Sequence, residues 1–199
     1  MNYDLEMEKQ MNNLQEGDKL LLHACCAPCS SEVLERLGNF FEISIFYYNP
    51  NITEEDEYKK RVEEVKKLIS LITPKYKVSL IEGNYEPYKF LEMAKGLENE
   101  PERGKRCYKC YELRLKETAR IAEKLGFSNF CTTLTLSPHK NSNWINEIGE
   151  KLNNKYNTNY LYSDFKKKEG YKRSIELSKK YNLYRQDYCG CIYSKKKKD

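Results

Sequence analysis

Short apolar runs alternate with helix-forming segments along the whole chain, and this alternation restricts the folds available to it. The runs lie at residues 19–24, 42–48, 77–81, 130–135 and 160–162. Strands that alternate with helices predict a mostly parallel sheet with helices on both faces. We therefore expect an α/β fold of the Rossmann-like (HUP-type) class.

The helical segments between these runs are marked by apolar spacing and by terminal residues. Thr53 and the acidic residues that follow it predict an N-cap and first turn, and Gly126 predicts a C-cap. The predicted helices cover residues 31–37, 53–71, 85–97, 107–125, 143–152 and 171–182. In such folds the reactive crevice lies at the carboxyl ends of the strands. Cys25 and Cys26 follow the first predicted strand, Ser137 comes just after the fourth, and Asp164 follows the fifth.

Length and composition set the organisation of the chain. The 199 residues suit one domain, and we divide them into an N-terminal extension (1–18), a single Rossmann-like domain (19–194) and a basic tail (195–199). The net charge of +5 permits a polyanionic partner. The polar N-terminus carries no signal-peptide pattern, and no apolar run is long enough for a membrane span. We expect a cytoplasmic protein with no membrane partner.

Eight cysteines in a reducing compartment favour metal ligands or catalytic thiols over disulfides. Cys131 stands alone in a predicted strand, which is typical of a small buried apolar residue. The other seven form three clusters: Cys25-Cys26-x-x-Cys29, Cys107-x-x-Cys110 and Cys189-x-Cys191. Such spacing aims two sulfurs at one point, as a thiophilic metal requires. The spacing predicts a metalloenzyme domain with its cysteine-rich site at the carboxyl ends of the strands.

The spacing alone leaves three kinds of site open. Seven thiols exceed the four ligands of one structural zinc, so an iron–sulfur cluster with a neighbouring metal, or with spare catalytic thiols, uses them better. A zinc-binding RNA module and a thiol–disulfide oxidoreductase built on Cys26 and Cys29 are the alternatives. A nucleotide-using enzyme is disfavoured, because Cys-Cys-Ala-Pro-Cys replaces a glycine-rich phosphate loop after the first strand.

Several motifs, in order along the chain, resemble the epoxyqueuosine reductase QueH family (DUF208). The first and last are the most specific. The motifs are HACCAPCS at 23–30, YYNPNI at 47–52, RCYKCY at 106–111 with Arg114-Leu115, TTL at 132–134, SPHK at 137–140, DFKK at 164–167 and YRQDYCGC at 184–191. The resemblance implies a cobalamin-independent oxidoreductase that removes the epoxide oxygen of epoxyqueuosine in tRNA to give queuosine.

The resemblance also implies a [4Fe–4S] cluster with partial aspartate ligation and an adjacent, second mononuclear iron. The ligands would come from Cys25, Cys26, Cys29, Cys107, Cys110, Cys189 and Cys191. We expect the cluster at Cys25, Cys26, Cys107 and Cys110, with Asp164 as the carboxylate and Asp187 as its rival. The reaction consumes two electrons and two protons, so an external electron donor is a further expected partner.

The remaining expectations concern protons and RNA. His23, Tyr48, Tyr188 and Asp187 are the predicted catalytic side chains around the ligands. The substrate would be the anticodon loop of a tRNA with a modified wobble base, bound by a monomer. Tyrosines near the motifs could stack on its bases, and the predicted phosphate contacts are Arg106, Lys140, Lys166 and Lys167.

Overall fold

A five-stranded, all-parallel sheet forms the centre of the protein, as the computed structural model shows for residues 1–195. Residues 196–199, which make up most of the predicted basic tail, lie outside the described part of the chain. The strands follow the order β3-β2-β1-β4-β5 across the sheet. Their bounds are β1 Lys19–His23, β2 Glu42–Tyr47, β3 Val78–Glu82, β4 Asn129–Thr132 and β5 Asn159–Tyr160. The predicted α/β fold is confirmed.

Helices cover both faces of this sheet. Their bounds are α1 Tyr3–Met11, α2 Ala27–Leu37, α3 Glu55–Leu71, α4 Pro87–Ala94, α5 Lys105–Leu125, α6 Ser142–Asn153 and α7 Gly170–Lys180. Successive side chains of a strand point to opposite faces. Accordingly Leu20 and Leu22 of β1 pack in a core with α2 and α3, whereas Leu21 packs in a second core with α5 and α6. None of the described helices is long and apolar enough to cross a bilayer.

Local hydrogen bonds move several element boundaries away from the predicted ones. Helix α2 begins at Ala27, four residues early, because the Cys26 sulfur caps it and accepts from the Cys29 amide. The fourth strand ends at Thr132, whose side chain accepts from the Leu134 amide and turns residues 133–136 into a 3-10 helix. The prediction of a strand to residue 135 was wrong. Thr53 is not an N-cap, since Glu54 occupies that position.

The remaining boundaries differ less. Helix α4 is shorter than predicted and ends at Ala94, and β5 contains only two residues. The predicted C-cap Gly126 is confirmed, with the left-handed backbone (φ +73°) that favours glycine. Residues 1–18 contain α1, which packs on the domain through buried Met7 and through an ion pair of Asp4 with Arg36 at 3.0 Å.

Candidate metal centre and cleft

A cleft of about 460 Å³ opens at the carboxyl ends of the strands. Six of the seven clustered cysteines line it: Cys26, Cys29, Cys107, Cys110, Cys189 and Cys191. Cys25, the seventh, lies beside Cys26 with 3.8 Å between the two sulfurs. Three segments that are distant in sequence therefore bring their thiols to one cavity. The expectation of one cysteine-rich site at this edge of the sheet is confirmed.

The first cluster is a compact triad. The sulfurs of Cys25, Cys26 and Cys29 lie within 4.8 Å of one another, which is close enough to hold one metal ion. The turn between β1 and α2 builds it: Cys25 follows the strand, Cys26 caps the helix, and Cys29 lies in its first turn. The Thr133 hydroxyl accepts from the Cys25 amide at 3.3 Å and so fixes the end of the strand to the 3-10 helix.

Proton affinity is uneven within this triad. Hydrogen bonds from the Cys26 and Cys29 thiols lower the pKa of Cys25 well below its usual value. The same hydrogen bond raises the pKa of Cys26 to about 12, and contacts with both neighbours raise the pKa of Cys29. The metal-free triad therefore favours one thiolate, at Cys25, stabilised by two thiols.

The second cluster lies in the first turns of α5. Cys107 is half-buried, and its sulfur accepts the backbone amide hydrogen of Arg103 at 3.2 Å. Cys110, one turn later, is buried and packs with Phe90 of α4 and Cys191. Burial raises the pKa of the Cys110 thiol to about 12. Helix spacing thus presents both sulfurs toward the cleft, and Cys110 meets the third cluster directly.

The third cluster belongs to the C-terminal loop, which we define as residues 184–195. Arg61 of α3 donates to the Cys189 carbonyl at 3.2 Å and to the Tyr188 carbonyl at 3.3 Å. Asn51 also donates to the Cys189 carbonyl, at 3.2 Å. Gly190 has a φ of +108°, and a Cβ there would lie 2.7 Å from Ile52. Backbone contacts and one glycine therefore hold the Cys-Gly-Cys turn against α3.

Arg114 and Lys140 line the cleft, and neither has a carboxylate partner among the described residues. Arg114 is 1% exposed. It donates to the Asn49 side chain at 3.3 Å and to the Cys110 carbonyl at 3.4 Å, while its Nη2 has no partner. Lys140 is half-buried and lines the same cleft. Burial opposes both charges, yet nearby thiolates raise the pKa of each residue, Cys110 chiefly for Arg114 and Cys189 chiefly for Lys140.

The predicted catalytic residues fall into two groups. Asp187 and Tyr188 line the cleft. His23 is fully buried below it, with its ring nitrogens 2.9 Å from the Thr132 hydroxyl and 3.0 Å from the Tyr48 carbonyl. Burial, and then Arg114, lower the pKa of His23 to about 3, so its ring is neutral. The Tyr48 hydroxyl donates to Glu86 at 3.2 Å. His23 and Tyr48 therefore make hydrogen bonds to protein groups below the cleft.

The predicted carboxylate ligands also differ in position. Asp164 is buried and pairs with Lys166 at 2.6 Å. Lys166 in turn donates to the Thr135 carbonyl at 2.9 Å. Among the described residues that line the cleft, Asp187 is present and Asp164 is not. Asp187 therefore shares the lining of the cleft with the cysteines, and the expected role of Asp164 stays a prediction.

Three of the four predicted phosphate contacts meet protein groups. Arg106 is buried and donates from one nitrogen to the carbonyls of Leu97, Glu98 and Glu100. Lys166 is held by Asp164, and Lys140 faces the thiols. Of the four, only Lys167 is exposed.

Several cleft residues were not predicted as site residues. Arg61, Arg114 and Gln186 surround the cysteines, and Arg103, Tyr171 and Arg185 lie at the cleft. Gln186 presents a buried side-chain oxygen with no described partner, as does Asn51. The only sequence signal for most of these residues was their place inside a motif, because an arginine or glutamine has no spacing that marks it as part of a site.

The donor set suits a thiophilic metal centre. Seven thiols surround one cleft, all of them free, and sulfur donors select zinc, copper(I) and iron–sulfur centres. Buried polar atoms without a partner, on Asn51, Gln186 and Arg114, line the same space. Because native proteins leave few such atoms unsatisfied, the cleft is built to contain a polar or charged group.

Comparison with known proteins supports this reading. The family model described as "Epoxyqueuosine reductase QueH" matches residues 20–197. A protein of that name from Streptococcus pyogenes serotype M1 is 43% identical over 202 residues, covering 98% of this chain and 79% of the relative. Its namesake from Staphylococcus epidermidis is 44% identical, covering 98% and 84%, and one from Staphylococcus aureus is 41% identical with the same coverage. The chain therefore belongs to the QueH family.

Proposed function

We propose that this protein is a cobalamin-independent epoxyqueuosine reductase, which removes the epoxide oxygen of epoxyqueuosine in tRNA to give queuosine. The names of its relatives support the reaction. The observation that carries the proposal is the convergence of three cysteine clusters on one cleft. The overall change breaks both carbon–oxygen bonds of the epoxide, forms a carbon–carbon double bond and releases water, using two electrons and two protons.

The proposed cofactors are a [4Fe–4S] cluster and a second mononuclear iron, both held by the seven clustered thiols. When bound, such a centre supplies single electrons and Lewis acidity. The Cys25-Cys26-Cys29 triad is the best-defined ligand group, because its sulfurs already lie within 4.8 Å of one another. Cys107, Cys110, Cys189 and Cys191 complete the set from the other walls. Asp187 is the proposed carboxylate ligand, since it lies in the cleft.

The chain's own residues bind the substrate and deliver protons. Tyr188 lies in the cleft beside the ligands and is the proposed proton donor. His23 and Tyr48 act as positioning residues, because their contacts fix the end of β2 beside the triad. An external electron donor supplies the electrons.

The rim of the cleft is suited to a single-stranded tRNA loop. Tyr171 is 36% exposed and lines the opening, where a splayed base can stack on its ring. Arg103 and Arg185 are exposed at the same opening, and Lys167 is exposed near the end of β5. These cations are the proposed phosphate contacts, so tRNA affinity should fall as salt rises. A tRNA substrate and a thiol-based metal site support the proposal of a cytoplasmic enzyme.

The proposal is tested by anaerobic reconstitution with iron and sulfide, followed by turnover of tRNA that carries epoxyqueuosine. We expect brown protein with more than four irons per chain, a cluster EPR signal on reduction, and a product nucleoside lighter by one oxygen. Cys110→Ser and Cys191→Ser should lose iron and activity together. Cys131→Ser is the matched control, since Cys131 lies in the core away from the cleft.

The same experiment separates the alternatives. Colourless protein that holds one zinc and binds tRNA without reducing it would indicate a zinc-binding RNA module. Reduction that survives replacement of Cys107 and Cys189 but requires Cys26 and Cys29 would indicate a thiol–disulfide oxidoreductase. Either result would contradict the proposed function.

A further inference from the structure

Two arginines packed into the protein, buried Arg61 and half-buried Arg36, are matched by carboxylates. Arg61 is 2% exposed and pairs with Glu57 at 2.6 Å, and Arg36 pairs with Asp4 and Glu32. Removing a charge from water costs several kcal/mol unless an opposite charge compensates for it. A buried cation without such a partner therefore indicates where a negative group belongs.

Arg114, which is buried, and Lys140, which is half-buried, line the cysteine cleft, whereas buried Arg106 beside them is satisfied by three backbone carbonyls. No described carboxylate lies within ion-pair distance of either side chain. The Arg114 Nη2 is buried and has no hydrogen-bond partner among the described residues. Arg114 donates to the Cys110 carbonyl at 3.4 Å, and both cations line the cavity that six of the clustered cysteines line. The two cations approach the same thiols from α5 and from the segment after β4.

We infer that Arg114 and Lys140 are the counter-charges of an anionic thiolate–metal centre, tuning its reduction potential and its retention of metal. This rests on the proposed metal centre and assigns residues to its electrostatics. Thiolate ligands outnumber the positive charge of an iron–sulfur core, so the loaded centre is a net anion. Reduction adds one more negative charge, which adjacent cations stabilise. In the metal-free protein the Cys25 thiolate compensates for only part of this positive charge.

The inference predicts opposite effects on the loaded and metal-free forms. Lys140→Met removes the cation that lines the cleft from the segment after β4. In the loaded protein, the midpoint potential should move to a more negative value and iron should be about tenfold less tightly held. In the metal-free protein, the variant should be as stable as wild type or more stable. Lys140→Arg should preserve the wild-type potential.

Arg114 provides the second test. Arg114→Met should shift the potential in the same direction, and Arg114→Lys should restore most of the shift. Lys116→Met is the matched control, since Lys116 lies exposed on the same helix. The measurements are an EPR redox titration, iron and sulfide per chain during exposure to a chelator, and denaturant unfolding of the metal-free protein. Lys140→Met keeps the inference testable if the Arg114 variants fail to fold.

The outcomes separate this inference from the proposed function. An iron-loaded wild type whose two methionine variants keep the same potential and iron retention would overturn the inference alone. So would a Lys140→Met variant that changes only tRNA affinity, because Lys140 would then be a phosphate contact. A wild type that takes up no iron under reconstitution would overturn the metal centre and this inference together.

Discussion

The two sides of the cleft handle buried charge in opposite ways. On the α3 side, Arg61 is neutralised by Glu57 at 2.6 Å and uses its remaining nitrogens to hold the backbone of residues 188 and 189. On the α5 side, Arg114 has no carboxylate partner within residues 1–195, and it lines the cleft with the cysteines. Arg61 is therefore neutralised within the protein, whereas the charge of Arg114 is not balanced by a described carboxylate.

This difference indicates that the α3 side positions the ligands, whereas the α5 side attracts the group that they bind. The C-terminal loop is docked by contacts that exist without metal, so Cys189 and Cys191 are positioned before any ion arrives. The α5 wall, by contrast, carries charge that only an anionic group in the cleft would balance. Preorganised ligands reduce the ordering cost of binding, and uncompensated cations favour an anion once it is in place.

The largest expected effect comes from breaking the paired side. Arg61→Met should lower the unfolding free energy of the metal-free protein by about 3–5 kcal/mol, because it leaves Glu57 beside a buried interface without its cation. It should also release the Cys189 turn and so abolish iron retention. Denaturant unfolding of the metal-free form measures the first effect, and iron per chain measures the second.

Lys60→Met is the control for this variant. Lys60 is an exposed neighbour on α3 whose ammonium lies over the Tyr184 ring, so the substitution removes a cation near the same loop without a buried ion pair. We expect less than about 1 kcal/mol from it. Equal losses of unfolding free energy and of iron in the two variants would show that the Arg61–Glu57 pair does not hold the C-terminal loop in place.

A smaller effect is expected from a substitution in the Cys-Gly-Cys turn at residues 189–191. Gly190→Ala places a Cβ about 2.7 Å from Ile52 in a left-handed backbone, and should cost about 2 kcal/mol in unfolding free energy with partial loss of iron. Gly96→Ala is the matched control: Gly96 also has a positive φ, but no atom lies within 4 Å of its Cβ position. If the two variants lose equal stability, backbone strain and not contact with α3 dominates at Gly190.

Glu32 provides a case between the paired Arg61 and Arg114, because here one arginine pairs with two buried carboxylates. Arg36 pairs with both Glu32 and Asp4, and the Glu32 Oε2 has no partner. Burial raises the pKa of Glu32 to about 7. Because the folded state holds this proton more tightly than the unfolded state, its contribution to stability falls as pH rises from about 4.5 to about 7.

The variant Glu32→Gln removes this titration. Over that pH range wild type should lose about 1–3 kcal/mol of unfolding free energy relative to the variant. His23 contributes in the opposite sense, since its folded pKa is lowered and its stability is lost as pH falls, but it is present in both proteins and cancels. Glu35→Gln is the control: pairing with Arg173 lowers the pKa of Glu35, so no change is expected between pH 4.5 and 7. A pH-independent difference for Glu32→Gln would contradict this assignment.

Sequence patterns predicted the sheet and the cysteine site better than they predicted the contacts of the buried and cleft-lining cations. Alternating apolar runs predicted the parallel sheet, and cysteine spacing predicted which thiols meet, because spacing and strand ends are local properties. The roles of Arg106, Arg114 and Lys140 depend on which atoms face them after folding. Arg106 meets three carbonyls and Arg114 meets thiols, although both are arginines of the same helix. The boundary at Thr132 was missed for a similar reason, since a side-chain hydrogen bond ends that strand.

The smallest effect is expected at the one cysteine outside the three clusters. Cys131 is fully buried between the sheet and its covering helices, with its sulfur 3.3 Å from the Leu161 carbonyl, and burial raises the pKa of its thiol to about 12. Cys131→Ala should therefore lower stability by about 1 kcal/mol and leave iron content and midpoint potential unchanged. Cys110→Ala, which removes an equally small thiol from a wall of the cleft, should lose iron. Loss of iron in Cys131→Ala would mean that the core, and not the cleft alone, sets the metal centre.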